Sequence, residues 1–168
     1  MMETLPMRSA RSAEIAQWQR ELLRYVHRLT GDPDLSEDLA QDALLRLLKA
    51  ESDRAPDNPR AWLYRVATNL VRDHARRAAM MRDRPIPVDA DAPVTPAQAY
   101  ERSATVAQVR AVLQRLAPRD REILILSESG FRHREIAEII DVKPQSVSVL
   151  LARALERFRT AYLAEVAR

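Results

Sequence analysis

The chain has 168 residues, of which 46% are hydrophobic and 30% charged, and its formal net charge is +3. This length suits one ordinary domain or two small ones, and the composition is that of a globular protein. There is no cysteine, which excludes disulfides, thiolate metal sites and cysteine nucleophiles. The three histidines are scattered without metal-ligand spacing, and no stretch is apolar enough to cross a bilayer. We therefore expect no metal, no cofactor and no membrane partner, and we predict a soluble, cytoplasmic protein.

Helical periodicity dominates the sequence, and two glycines among 168 residues argue against an all-β fold. Gly31 is predicted to end the first helix, and Asp32-Pro33 and Asn58-Pro59 each read as a cap followed by a first-turn proline. The predicted fold class is all-α. In chain order the predicted helices cover about 12–30, 33 to a polar break at 51–58, 59–81, 97–116, a helix opened by Pro118, 131–140 and 144–164.

A proline-rich segment divides the chain. Pro85, Pro87, Pro93 and Pro96, mixed with aspartates, cannot sustain a helix and predict an extended linker. We therefore expect two small helical domains joined by this linker, with a helix-turn-helix in the second. The predicted bounds are 11–84 for the first domain, 85–104 for the linker and 105–168 for the second domain.

The second predicted helix is acidic and the third is basic. Residues 31–51 hold six acids and two basic residues, a net charge of −4, whereas residues 60–84 hold seven arginines and two aspartates, a net charge of +5. Such a chain can hold a protein partner and a polyanion at once, although charge runs also occur as solvated faces. An ordinary amphipathic helix remains the alternative for the acidic one. Its candidate contact residues are Asp38, Leu39, Gln41, Asp42 and Leu45.

The third predicted helix carries polar residues on one stripe, at steps of four, three and four: Arg65, Asn69, Arg72 and Arg76. Arginines at this spacing can follow successive phosphates, and an asparagine among them can read a base. The neighbouring face, which can be buried, holds Leu63, Val66, Leu70 and His74. At the helix start, Trp62 and Tyr64 could stack on unpaired bases, with core packing as the alternative for each.

The pattern near the C-terminal end predicts a helix-turn-helix. A short helix with Ile136 and Ile140 is followed by a tight turn at Asp141-Val142 and by a helix that starts at Pro144. A helical hairpin in a bundle would look similar. The buried stripe of the last helix is predicted as Val147, Leu151, Ala154 and Phe158. Small and polar residues suited to base edges in a major groove lie opposite: Gln145, Ser148, Val149 and Ala152, flanked by Ser146 and Arg153.

Three runs of the sequence resemble one family. DLSEDLAQDALLRLLKA, NPRAWLYRVATNLVRDHARR and LAPRDREILILSESGFRHREIAEII, in this order, resemble the extracytoplasmic-function (ECF) sigma factors. These are non-catalytic subunits that bring RNA polymerase to promoters and help to open them. The resemblance covers residues 20–158, and its middle run is the most specific. It implies that the chain is not an enzyme.

The resemblance implies a role for each surface. The helix with Asp38, Leu39, Gln41 and Asp42 is similar to the sigma region 2 surface that docks on the clamp helices of the polymerase β′ subunit. The arginine helix and the loop before it are similar to the reader of the −10 element, where a flipped base is held in a pocket that includes Asn69. The second domain is similar to sigma region 4, which reads the −35 element and meets the β flap. The linker is similar to the segment threaded toward the RNA exit path.

One stretch departs from the family pattern. A Gly-Thr-Val-Lys-Ser-Arg-like string is usual after the turn, and this chain has QSVSVL at 145–150 instead. Two positions that are commonly basic in the family are therefore occupied by Ser148 and Leu150, while Arg153 matches a basic position. The usual phosphate contacts and base preference at −35 are the properties that this departure affects.

Three other interpretations remain to be compared. A stand-alone transcription regulator would need a dimer interface or an effector pocket, and the N-terminal half offers no clear one. An enzyme would need a phosphate loop, a metal cluster or a nucleophile–base pair, and the sequence has none of these patterns. A helical adaptor would leave the arginine stripe unexplained. The sequence leaves open the promoter, the inducing signal and whether an anti-sigma factor controls the protein.

Overall fold

The computed structural model describes the backbone of residues 5–81 and 97–167, and the side chains of residues 12–81 and 104–167. Every regular element in these ranges is helical, which confirms the all-α prediction. No described helix is both long enough and apolar enough to cross a membrane. The helices are α1 (Leu5–Thr30), α2 (Pro33–Arg54), α3 (Pro59–Met81), α4 (Ala97–Arg115), α5 (Pro118–Glu128), α6 (His133–Ile140) and α7 (Val147–Val166), with a 3₁₀ turn at Pro144–Ser146 before α7.

The predicted linker is only partly within the described residues. Its residues 85–96 lie outside them, and its remainder, 97–104, forms the beginning of α4. We call α1–α3 the N-terminal half and α4–α7 the C-terminal half.

The predicted helix boundaries at Gly31 and Asn58 are confirmed. Gly31 has φ of +74°, a left-handed conformation that ends α1 at little steric cost. The Asp32 carboxylate then accepts the backbone N–H of Leu35 at 3.0 Å and caps α2. The Asn58 side chain accepts the backbone N–H of Ala61 at 3.0 Å and caps α3. These caps fix where the acidic helix and the arginine helix begin.

The three helices of the N-terminal half pack around large residues of α1, among them Trp18, Leu22 and Tyr25. The buried face of α2 is made largely of small side chains, which lets its backbone approach its neighbours closely. Two other leucines of α2 lie on its outer side, where Leu45 is 59% exposed and Leu48 is 47% exposed. The buried residues of α2 are Ser36, Ala40, Ala43, Leu44 and Leu47.

The C-terminal half builds its core from short helices. The buried residues Ile136 and Ile140 of α6 meet Val147 and Ala154 of α7 in the same cluster. A buried carboxylate, Asp120 of α5, accepts two hydrogen bonds from the Arg157 guanidinium at 2.8 and 2.9 Å. This pair lies entirely inside the C-terminal half and ties the start of α5 to α7.

The two halves share one continuous hydrophobic core. In particular α6 packs on α3, and α5 packs on α1. Arg121 of α5 also joins them, since its guanidinium donates to the Leu113, Gln114 and Leu116 carbonyls of its own half and to the Leu29 carbonyl of α1. A fifth bond goes to the side-chain oxygen of Gln114. Burial lowers the Arg121 pKa from its ordinary value, although the charge on Glu122 opposes this.

Candidate functional site

The acidic helix presents a mixed acidic and apolar face to solvent. Asp38 and Gln41 are exposed, Leu45 follows one turn later, and Leu39 is half-buried against the core. The Asp42 carboxylate accepts from Arg46 at 2.9 and 3.0 Å, an i,i+4 pair on the surface. The structure thus brings the predicted contact residues together on one side of α2. Leu45 therefore lies exposed beside the acidic side chains of this face.

The stripe on α3 is divided by the structure. Arg65, Asn69 and Arg76 are exposed. Arg76 pairs with Asp73 of the same helix, a surface contact of small energetic weight. On the neighbouring face, the prediction of a buried side holds except for its last member: Leu63 is buried, Val66 and Leu70 are half-buried, and His74 is exposed.

Arg72 is the member of the stripe that lies against the C-terminal half. Its guanidinium donates to both carboxylate oxygens of Glu122, at 2.9 and 2.6 Å, and to the Ile140 carbonyl at 3.4 Å. The bonds to Glu122 raise the pKa of Arg72 from its ordinary value, and burial opposes them. Glu122 is 3% exposed. The charged form of a carboxylate buried to this degree is stabilised by a paired cation, and Arg72 supplies it.

The two aromatic residues at the start of α3 differ in accessibility. Trp62 is half-buried against the core. Tyr64 is 1% exposed, and its ring centroid lies 4.8 Å from that of Tyr25 and 4.7 Å from that of Phe131. The expectation that Tyr64 offers a stacking surface is therefore corrected for this arrangement, where core packing occupies its ring. Burial raises the Tyr64 pKa to about 12.

The helix-turn-helix has the geometry that its pattern predicts. Asp141 takes the turn with φ of +58° and is the one non-glycine residue with positive φ among those described. Such a conformation suits aspartate better than most residues. Of the predicted reading face, Ser146 is half-buried and Ser148 approaches the ring nitrogen of His133 at 3.3 Å. Leu150, one of the two positions that depart from the family pattern, is half-buried beside the buried stripe of α7. The exposed members are Gln145, Ser148, Val149, Ala152 and Arg153.

Comparison with known proteins gives the chain its family. It matches the family model of Sigma-70 region 2 over residues 15–80 and that of Sigma-70 region 4 over residues 107–158. It is 30% identical over 156 residues to the ECF RNA polymerase sigma factor SigE of Mycolicibacterium smegmatis, across 90% of this chain and 60% of SigE. It is 31% identical over 176 residues to SigG of Mycobacterium tuberculosis, across 89% of this chain and 48% of SigG. The chain belongs to the ECF sigma factor family.

This sigma factor spans about half of the length of these curated relatives. Solved structures share its fold. The sigma factor RpoE, in complex with the anti-sigma factor NepR from Bartonella quintana, aligns with a TM-score of 0.73 at 23% identity, across 94% of this chain and 98% of that one. CnrH, in complex with the cytosolic domain of CnrY, aligns with a TM-score of 0.68 at 23% identity, across 94% and 90%.

Sequence reasoning missed the side chains through which the two halves of this sigma factor meet. Arg60 donates to the Ser129 carbonyl at 3.3 Å and lies 4.3 Å from the centroid of the Phe131 ring. Asn58 donates to Glu135 at 2.9 Å. One signal in the sequence could have found Glu122, because it directly precedes the apolar run 123–126 of a predicted helix core. An acid at such a position suggests a buried ion pair, although its partner cannot be read from α5 alone.

Proposed function

We propose that this protein is a non-catalytic sigma subunit that directs RNA polymerase to promoters and helps to open them. The observation that carries the proposal is the presence of three faces of different chemistry on one ECF-family chain. The acidic leucine face of α2 suits the β′ clamp helices, the polar stripe of α3 suits the −10 element, and the exposed face of α7 suits the −35 element near the β flap. Such a subunit acts in the cytoplasm, where the polymerase is.

The test is run-off transcription with purified core polymerase. Core polymerase and this protein together should produce discrete transcripts from genomic DNA fragments, and neither component alone should do so. Specific binding of promoter DNA by the protein without polymerase, with no transcript from the mixture, would instead favour a stand-alone regulator.

The polymerase-binding assignment has its own test in the α2 face. The double variant Asp38→Arg, Gln41→Ala reverses one charge and removes one polar side chain at the proposed polymerase contact. A charge mismatch of this kind weakens a specific interface by several kcal/mol. It should lose core polymerase in a pull-down while its helical circular dichroism is unchanged. Glu14→Arg with Gln19→Ala makes the same chemical changes at exposed positions of α1. Equal retention of polymerase by both variants would show that α2 is not the anchor.

We also propose that an anti-sigma protein controls this factor. Support comes from the shared fold with RpoE and CnrH, whose structures hold NepR and the cytosolic domain of CnrY. A groove of about 700 Å³ lies where the halves meet, and four arginines line it: Arg24, Arg28, Arg60 and Arg110. A purified anti-sigma partner should block transcription by the wild type. Arg24→Glu with Arg110→Glu should relieve that block, while Arg159→Glu on the exposed surface of α7 should not.

A further inference from the structure

The proposed −10 surface is partly occupied by the protein itself. Of its six predicted residues, Arg65, Asn69 and Arg76 are open to solvent and Trp62 is half-buried. The other two, Tyr64 and Arg72, are bonded or packed against the C-terminal half. The division follows the path of α6 across α3, because the covered residues lie on the side of α3 that α6 contacts.

Arg72 cannot serve Glu122 and a DNA phosphate at once in this arrangement. Its Nε and one terminal nitrogen both donate to the Glu122 carboxylate, which is the bidentate geometry that a phosphate would also need. Glu122 is buried, so withdrawing Arg72 while the halves stay together would leave an uncompensated charge in the core. Arg72 therefore becomes available to DNA when α5 moves away and Glu122 reaches water.

Apolar and aromatic contacts support the same closed arrangement. The Phe131 ring meets the Tyr64 ring edge-on at 4.7 Å, and the Arg60 guanidinium lies over Phe131. Both rings are at most 5% exposed. The outer edge of the contact holds an exposed ion pair between Arg28 of α1 and Glu128 of α5. Separation of the halves would uncover the rings and break both ion pairs.

The other two proposed faces stay open in the closed arrangement. Asp38, Gln41 and Leu45 of α2 are exposed, as are Ser148 and Val149 of α7. Closure thus covers part of the −10 surface and leaves the polymerase-binding and −35 surfaces accessible.

We propose that the Arg72–Glu122 pair is a latch that holds this sigma factor in a closed conformation with reduced affinity for the −10 strand, and that it opens when the halves separate. The inference rests on the proposed function. A binding site that is competent only in the open state has an affinity reduced by the open fraction. Polymerase docking through the exposed α2 face can precede release of the latch.

The test uses the full-length protein with two fluorescent labels. Since the chain has no cysteine, Arg20→Cys on α1 and Glu156→Cys on α7 supply exposed attachment points, one in each half. Energy transfer between them reports closure, and a labelled single strand carrying the −10 element reports DNA binding without polymerase. Glu122→Gln removes the charge of the latch without touching a proposed DNA-binding residue. If it raises the open fraction from about a tenth to about a half, the strand should bind about fivefold more tightly, and energy transfer should fall.

Two further variants make the result decisive. Glu128→Arg opposes Arg28 with a like charge at an exposed position, so it should open the protein without disturbing the core. Asp120→Asn is the matched control, because it removes a buried carboxylate whose partner, Arg157, lies in the same half. It should lower stability and leave energy transfer unchanged.

Unchanged energy transfer in Glu122→Gln and Glu128→Arg, or opening without tighter binding of the strand, would overturn the proposal. So would equal opening in Asp120→Asn. Failure of the proposed function is a separate result, since the wild type would then direct no transcription by core polymerase, whatever the labels report.

Discussion

The helices α3 and α7 are the two proposed DNA readers, and they differ in how much of the polar face is covered by the rest of the protein. Both are long and amphipathic, and both bury one stripe. On α7 the buried stripe, with Val147 and Ala154, packs on α4, α5 and α6, and the face with Ser148 and Val149 is left to solvent. On α3 a second side is also covered, because α6 lies across it and Tyr64 and Arg72 face the C-terminal half.

A DNA-reading pattern on a helix therefore does not by itself imply an open surface. In a helix-turn-helix, the fold that positions the recognition helix also directs its reading face outward. The exposure of α3 depends instead on how the two halves are arranged.

The largest effect should come from removing the ring that covers α3. Phe131→Ala deletes a side chain that is 5% exposed and packs on Tyr64, so unfolding in urea should require about 3–5 kcal/mol less free energy. Phe158→Ala is the matched control on α7, since Phe158 is half-buried and stacks on Tyr162 at 6.0 Å. Its loss should be smaller. Equal losses of unfolding free energy would mean that Phe131, packed on α3, contributes no more than the half-buried Phe158.

Alkaline pH should destabilise the covered helix next. Burial holds the Tyr64 pKa at about 12 in the folded protein, against about 10 when unfolded. Well below pH 10, Tyr64 is protonated in both the folded and the unfolded protein, so its burial costs no stability there. Between pH 10 and 12 the unfolded state loses its proton first, and the stability contributed by this group should fall by about 3 kcal/mol over the whole interval. Urea unfolding at pH 9, 10 and 11 measures the first half of this fall. Tyr64→Phe should make it shallower, and an unchanged slope in that variant would contradict the assignment.

The open face of α7 should determine base preference. Gln145 can bond adenine, and the methyl groups of Val149 and Ala152 can pack on thymine, so we expect an A/T-leaning −35 sequence. Val149→Asn should shift preference at one or two adjacent positions by about 1–3 kcal/mol. Selection from randomised −35 sequences by the holoenzyme measures it. Leu155→Asn, on the same helix beside a small groove, is the control and should select the wild-type sequence. Identical selections by wild type and Val149→Asn would remove this face from readout.

The smallest effect should separate the exposed residues of α3. Arg76→Ala should reduce the slope of log affinity for the promoter against log salt concentration by about one unit. Between 50 and 200 mM salt, the affinity of this variant should therefore fall by a factor about fourfold smaller than the affinity of the wild type. Asn69→Ala should leave the slope nearly unchanged and relax preference at one −10 position. If Asn69 sets the slope and Arg76 sets the preference, this division of roles is wrong.

The sequence predicted elements better than it predicted their assembly. Caps and first-turn prolines placed the starts of α2 and α3, and the spacing of apolar residues separated the buried stripe of α7 from its exposed face. These signals are local, within one or two helical turns. The pairing of Arg72 with Glu122 joins residues 50 positions apart and leaves no periodic trace. For the same reason Tyr64 read equally well as a stacking surface or as core, and the covering ring of Phe131 decided it.

The hydrogen bonds of Arg121 and the Arg28–Glu128 ion pair both join the halves, and they should respond differently to ionic strength. The guanidinium of Arg121 donates to peptide carbonyls, among them the Leu29 carbonyl of the other half, and to the side-chain oxygen of Gln114. Fixed dipoles in a half-buried corner are screened little by added salt, whereas the exposed Arg28–Glu128 pair is screened strongly. Concentrated salt should therefore weaken the Arg28–Glu128 pair while the neighbouring hydrogen bonds of Arg121 stay intact.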